Sequence, residues 1–187
     1  MISVPRLLQL MNTAENISFG SVKLEFCQQH FSAVVYSPGE PKTHALWITV
    51  GCWHLDWQIS SMAQISNSLG PMFSTVTHLS LQHEVHIQSS EEHNEVDRIE
   101  WRKLLRSFDN VKTLHIATGL VEELSRYLQL EARDLPSELL PELQELTYFR
   151  NSNADDVFIS FTDARQNAGR PVTLTRSVGS MDFAIFN

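Results

Sequence analysis

Val76-Thr-His-Leu79-Ser-Leu81 returns as Val111-Lys-Thr-Leu114-His-Ile116 and again as Leu143-Gln-Glu-Leu146-Thr-Tyr148, at intervals of 35 and 32 residues. Each phrase alternates apolar and polar residues as a half-buried strand does, and each follows an amphipathic stretch. Recurrence at about 20 to 50 residues marks stacked supersecondary units, each too small to bury its apolar face alone. Units built of one helix and one strand pave a surface for another protein more often than they enclose a catalytic cleft.

The stretches between the phrases carry the helical period. Ile59, Met62, Ala63, Ser66 and Leu69 fall at helical spacing, with Asp56 as the expected N-cap and Gly70-Pro71 as the expected stop. Asp97-Arg-Ile-Glu100 resembles a capping box and opens a stripe of Trp101, Leu104, Leu105 and Phe108. Leu120, Val121, Leu124, Tyr127 and Leu128 line a third face before a loop that reaches Leu139. A fourth unit runs through Val157, Phe158, Phe161, Ala164 and Ala168, closes at Gly169 and delivers Val172-Thr-Leu174. Parallel neighbours need crossovers of this length, and such crossovers are overwhelmingly right-handed.

Upstream the pattern is different. Ile2 to Asn12 reads as a short amphipathic segment, while Val22-Lys-Leu24-Glu-Phe26, Phe31 to Tyr36 and Leu46-Trp-Ile-Thr-Val50 read as strands separated by turn residues such as Ser37-Pro38-Gly39. His83 to Val96 reads as an exposed loop, and the residues after Ser177 as a tail.

The chain has 187 residues and 42% apolar content, enough for one domain that removes about 70% of its unfolded surface from water. The formal charge of −8 and the lack of any Lys/Arg run longer than Arg102-Lys103 argue against nucleic acid as a partner. No segment approaches about 18 consecutive apolar residues, and no secretory leader pattern opens the chain, so the expected setting is cytoplasmic or nuclear, with no membrane partner. Cys27 and Cys52 lie in apolar stretches and read as reduced, buried thiols.

Four longer tracts carry a family resemblance: Leu55-Asp-Trp57 through Gln64, Leu69 through Leu79, Trp101 through Leu114, and Phe161-Thr-Asp-Ala-Arg-Gln-Asn-Ala-Gly-Arg-Pro-Val172. The chain resembles the C-terminal, leucine-rich-repeat-like region of fungal (basidiomycete) F-box-like proteins over most of Val4 to Arg176. The resemblance implies substrate recognition in a ubiquitin ligase, the repeats holding the target while an F-box docks a Skp1-like adaptor. Here Met1 opens directly into the repeat-like region, so the adaptor is expected only where an F-box lies upstream. Leu135-Pro-Ser-Glu-Leu-Leu140 matches the opening of an F-box superficially, but it falls between a helix and a strand of the third unit.

The expected fold is therefore α/β: an irregular leucine-rich-repeat-like solenoid with parallel strands on one side, helices on the other and a β-rich N-terminal part. It forms one domain over residues 1–177, with a tail at 178–187.

Groups with catalytic or metal-binding chemistry find weaker support. Cys52-Trp-His54-Leu-Asp56 sets three ligand types at alternate positions, and His83 and His86 share a ligand-like spacing, yet neither has a second cluster to complete a site. A small metal-dependent hydrolase is thus the remote alternative. No nucleophile elbow, phosphate loop or dinucleotide fingerprint occurs, and Glu91-Glu92, Glu122-Glu123 and Asp155-Asp156 read as solvated or helix-start acids. The expectation is a non-enzymatic chain without cofactor, catalytic residue or metal ligand.

The strand residues between the apolar ones are the candidate protein-binding face: His78, Ser80 and Gln82; Thr113 and His115; Glu145, Thr147 and Phe149; Thr173 and Thr175. The face is polar and hydroxyl-rich, with no obvious aromatic anchor beyond Phe149 and Trp53. The nearer alternative is a truncated structural fragment that self-associates through an apolar edge in the β-rich opening and has no ligase role of its own.

Overall fold

The computed structural model describes residues 19–38, 44–83, 95–134, 139–149 and 157–177. The opening segment at 2–12, most of the loop after His83, the Leu135-Pro-Ser-Glu stretch and the tail at 178–187 lie outside the described residues.

Strict alternation in Ser21–Phe26 makes β1, whose Val22, Leu24 and Phe26 are all fully buried. A tight turn, closed by the Cys27 N–H donating to the His30 carbonyl, returns the chain as β2, His30–Tyr36. β3, His44–Gly51, continues the antiparallel meander on the outer side of β2. Gly20, just before β1, passes Pro38 so closely that an added Cβ would stand 2.9 Å from the proline Cα.

On its other side β1 pairs in parallel with β4, His78–His83. β5, Thr113–Ile116, β6, Glu145–Phe149, and β7, Thr173–Ser177, are added in turn, all parallel. The sheet thus reads β3-β2-β1-β4-β5-β6-β7, with each new parallel strand laid outside the last. The fold is α/β with a seven-stranded, mostly parallel sheet, and the β-rich opening supplies one end of that sheet, with β3 at the edge.

The crossovers carry α1, Leu55–Ser68, with the short α2, Gly70–Phe73; α3, Glu95–Leu105; α4, Thr118–Asp134; and α5, Ile159–Asn167. From β3 onward every crossover moves the same way across the sheet, and the right-handedness that governs parallel connections puts every such helix on the same side. The core lies between these layers. Leu79, Leu81, Leu114, Ile116, Leu146 and Tyr148 meet Ile59, Met62, Leu104, Leu105, Leu124 and Phe161 there.

A repeated backbone pattern registers the units. The N–H groups of Thr77 and His78 donate to the Gly20 carbonyl, those of Lys112 and Thr113 to Thr77, those of Gln144 and Glu145 to Lys112, and that of Thr173 to Gln144. Phe19, Phe73 and Phe108 stack in succession just before these positions, with centroids 5.9 and 5.4 Å apart.

Three expected helix boundaries differ. His54, not Asp56, precedes α1, and it caps with no side-chain bond; Asp56 sits inside the first turn, where its charge still suits the helix N-terminus. Gly70-Pro71 does not simply end α1: the proline's missing N–H and fixed φ fit the first turn of α2. α3 begins at Glu95, ahead of Asp97, and Glu100 accepts a 2.7 Å hydrogen bond from Lys103. In α5 the stripe also contains Arg165, fully buried, while Ala168 is exposed and Gly169 adopts φ 73° as anticipated for a helix stop. Cys27 is buried, Cys52 half-buried, and neither forms a disulfide.

Candidate functional site

Because side chains alternate along a strand, burying the apolar set beneath the helices turns the intervening residues to the opposite face. Strand register then arranges them in rows. Ser21, His78, Thr113, Glu145 and Thr173 stand side by side across five strands, and Lys23, Ser80, His115, Thr147 and Thr175 form the adjacent row. Glu25 and Gln82 begin a third row, which Phe149 and Ser177 continue on β6 and β7. Adjacent members are one strand spacing apart, about 4.8 Å. All ten candidate residues therefore share one face.

Their accessibility is uneven. His78, Glu145, Thr173 and Thr175 are exposed, and Gln82, Thr113 and Thr147 are half-buried. Ser80 retains 3% of its surface and His115 9%, in the middle of the second row. Phe149, expected to offer an aromatic anchor, retains 5%. Alternation fixes which face a side chain leaves from, but a phenyl ring still gains by leaving water wherever neighbours allow it. Trp53 is 65% exposed, in the turn between β3 and α1.

Besides Glu145, charge on this face comes from β1, outside the repeated phrases. Lys23 Nζ lies 3.5 Å from Glu25 Oε2, and the Ser32 hydroxyl donates to the same carboxylate oxygen at 3.5 Å. Tyr36, on β2, has its phenol pKa raised by burial and by the Glu25 charge. These residues escaped the reading of the repeats, although the alternation of Val22 to Phe26 already placed Lys23 and Glu25 opposite the core. Trp47 and Thr49 of β3 extend the face, both exposed.

The His115 imidazole is held below its ordinary pKa, first by burial and then by His78, with Glu145 opposing. Its Nδ1 is buried without a hydrogen-bond partner. His78 shares a 2.8 Å hydrogen bond between its Nδ1 and the Thr77 hydroxyl. Ser80 and His115 are register neighbours, yet no hydrogen bond joins them, so the serine lacks the contact through which a base activates a nucleophile. Chemically the face offers hydroxyls, imidazoles and two carboxylates as donors and acceptors.

Of the residues with ligand-like spacing, Cys52, His54, Asp56 and His83 are described, and His86 lies outside the described residues. His54 sets its ring edge-on to Trp57, centroids 5.0 Å apart, and Cys52 Sγ lies 3.9 Å from the His54 carbonyl. His83 belongs to the helix side of the sheet; burial holds its pKa down, while a hydrogen bond to the Gly119 backbone acts the other way. Among the described residues no three His, Cys, Asp or Glu side chains group as metal ligands.

Sequence reasoning also missed two buried polar side chains. Gln58 Nε2 donates to the carbonyls of Cys27 at 2.7 Å and Cys52 at 2.6 Å, clasping the ends of β1 and β3 beneath α1. Arg165 donates to the carbonyls of Leu139, Pro141 and Leu143, each at 3.3 Å. An arginine at a core position of an amphipathic stripe was the available signal for the second.

No family model, curated protein or solved structure matches this chain.

Proposed function

We propose that this chain is a non-enzymatic protein-interaction domain that holds a partner protein against the sheet face opposite its helices. One observation carries the reading: all ten candidate residues stand in register rows on a single face, on the side away from every described crossover helix. A broad polar surface on parallel strands suits an extended protein contact, with recognition spread over many donors and acceptors.

The finer architecture in this proposal is an irregular leucine-rich-repeat-like solenoid. The outward march of β4 to β7, the recurring backbone bonds to Gly20, Thr77, Lys112 and Gln144, and the Phe19–Phe73–Phe108 stack support it. In that setting the chain acts as the recognition region of an F-box-like protein in the cytoplasm or nucleus, linked to ubiquitin-ligase targeting when an F-box accompanies it. It uses no cofactor and contacts neither nucleic acid nor membrane. No described helix is long and apolar enough to cross a bilayer.

The test is a pull-down from native cell extract with the chain, with Thr113→Arg/Thr173→Arg, and with a form extended upstream to include any in-frame F-box. The reading expects one protein captured by the chain and lost with the double variant, plus a Skp1-like adaptor captured only by the extended form. Capture that is indifferent to the two arginines would sink the binding-face reading, and an extended form that takes no adaptor would sink the ligase link.

A further inference from the structure

Three of the four tryptophans are open to water, and all three lie in one short stretch: Trp47 at 67%, Trp53 at 65% and Trp57 at 63% exposed. The first is on β3, the second in the turn that leaves it, the third in the first turn of α1. Such large rings are enriched where surfaces meet, because each buries much area with few rotors to freeze.

β3 is also an edge. It is the first strand of the sheet and pairs with β2 alone among the described residues, so its outward N–H and C=O groups face away from the sheet. Natural edge strands refuse further partners with lysine, proline, inward charges or brevity. β3 has eight residues, His-Ala-Leu-Trp-Ile-Thr-Val-Gly, with no formal charge and no proline. On its helix side Leu46, Ile48 and Val50 pack against the core yet remain only partly buried, so the apolar layer stops unfinished at this edge. The opposite edge, β7, is shorter and carries Arg176.

Charge selects the occupant. The chain carries −8 overall and repels its own copy wherever acidic surfaces approach. From Thr43 to His83 the only formal charge is Asp56, so β3, α1 and β4 form a nearly neutral sector where a copy can approach without that cost. An antiparallel pairing of β3 with β3 about a two-fold axis keeps every side chain on its proper face. Leu46, Ile48 and Val50 of both copies extend one apolar layer, while Trp47 of each copy lies on the side that carries Thr49 of the other. We infer that this protein forms a two-fold homodimer by antiparallel pairing of its β3 edges, with the exposed tryptophans at the seam.

The pairing is independent of what the polar face binds. Sedimentation velocity on the full chain over a wide concentration range tests it, with Trp fluorescence on the same samples. The expected result is a concentration-dependent doubling of mass, with tryptophan emission shifting to the red as the dimer is diluted. Thr49→Lys sets like charges at the seam and raises the dissociation constant by about tenfold or more. Its site is exposed, so the monomer keeps its far-UV circular dichroism. Thr175→Lys, at the opposite edge of the sheet, leaves the dimer unchanged. A monomer at every concentration, a dimer untouched by Thr49→Lys, or one dissolved by Thr175→Lys would overturn the inference.

Discussion

The side-chain amide of Gln58 donates to the Cys27 carbonyl at 2.7 Å from within the core. The same nitrogen reaches the Cys52 carbonyl, so one residue of α1 ties together the exits of β1 and β3, strands that are not neighbours in the sheet. A buried carbonyl stripped of its donor costs about 1–3 kcal/mol. Gln58→Ala removes both bonds and opens a cavity, and is expected to lower stability by about 3 kcal/mol in urea unfolding. Gln58→Glu is expected to be worse at pH 7, because its carboxylate faces carbonyls, and to recover part of the loss as acid protonates it.

Arg165 plays the corresponding part at the far end, where its guanidinium spans three carbonyls of the 139–143 turn and Leu140 adopts φ 48°. Burial and the nearby Arg170 lower its pKa, with Glu142 opposing. Arg165→Met keeps the apolar stem but leaves the carbonyls unpaired; a loss of about 3 kcal/mol is expected. Hydrogen exchange is the sharper readout: protection should fall first at residues 139–149, and uniform loss over the whole sheet would contradict a local tie.

Phe73 contacts Phe19 on one side and Phe108 on the other, fully buried between two units. Phe73→Ala is expected to cost about 3–5 kcal/mol and Phe73→Leu about 1–2 kcal/mol. Thermal unfolding of the pair, with Phe108→Leu as a second site, should show non-additive losses, because the rings touch.

His83 and His115 both titrate below their ordinary value in the folded protein. The unfolded chain then binds protons first, so their contribution is complete above about pH 6.5, falls as acid is added through that value and levels off below the folded pKa. Chemical unfolding followed from pH 7.5 to 5.5 should show this decline, and His115→Gln should flatten part of it. Glu100, whose pKa is lowered chiefly by Lys103, acts at lower pH: its contribution is present above about 4.5 and lost as pH falls further.

The repeat of Val76, Val111 and Leu143 determined the parallel strands, and the stripe of Trp101, Leu104, Leu105 and Phe108 determined a helix between them, because periodicity is local and hydrophobic burial acts on it directly. The same alternation assigned His78, Thr113, His115 and Glu145 to one face before any pairing was known. Local pattern does not say which strand lies beside which. Only the tertiary structure made β1 the hinge of the sheet, antiparallel to β2 and parallel to β4, and thereby added Lys23, Glu25 and Ser32 to the face. It also made β3 the edge strand within the β-rich opening, buried Phe149, and brought Gln58 and Arg165 to carbonyls 31 and 22–26 residues away. These outcomes depend on contacts between distant segments, where each polar group must find a partner that its own neighbourhood in the chain does not contain.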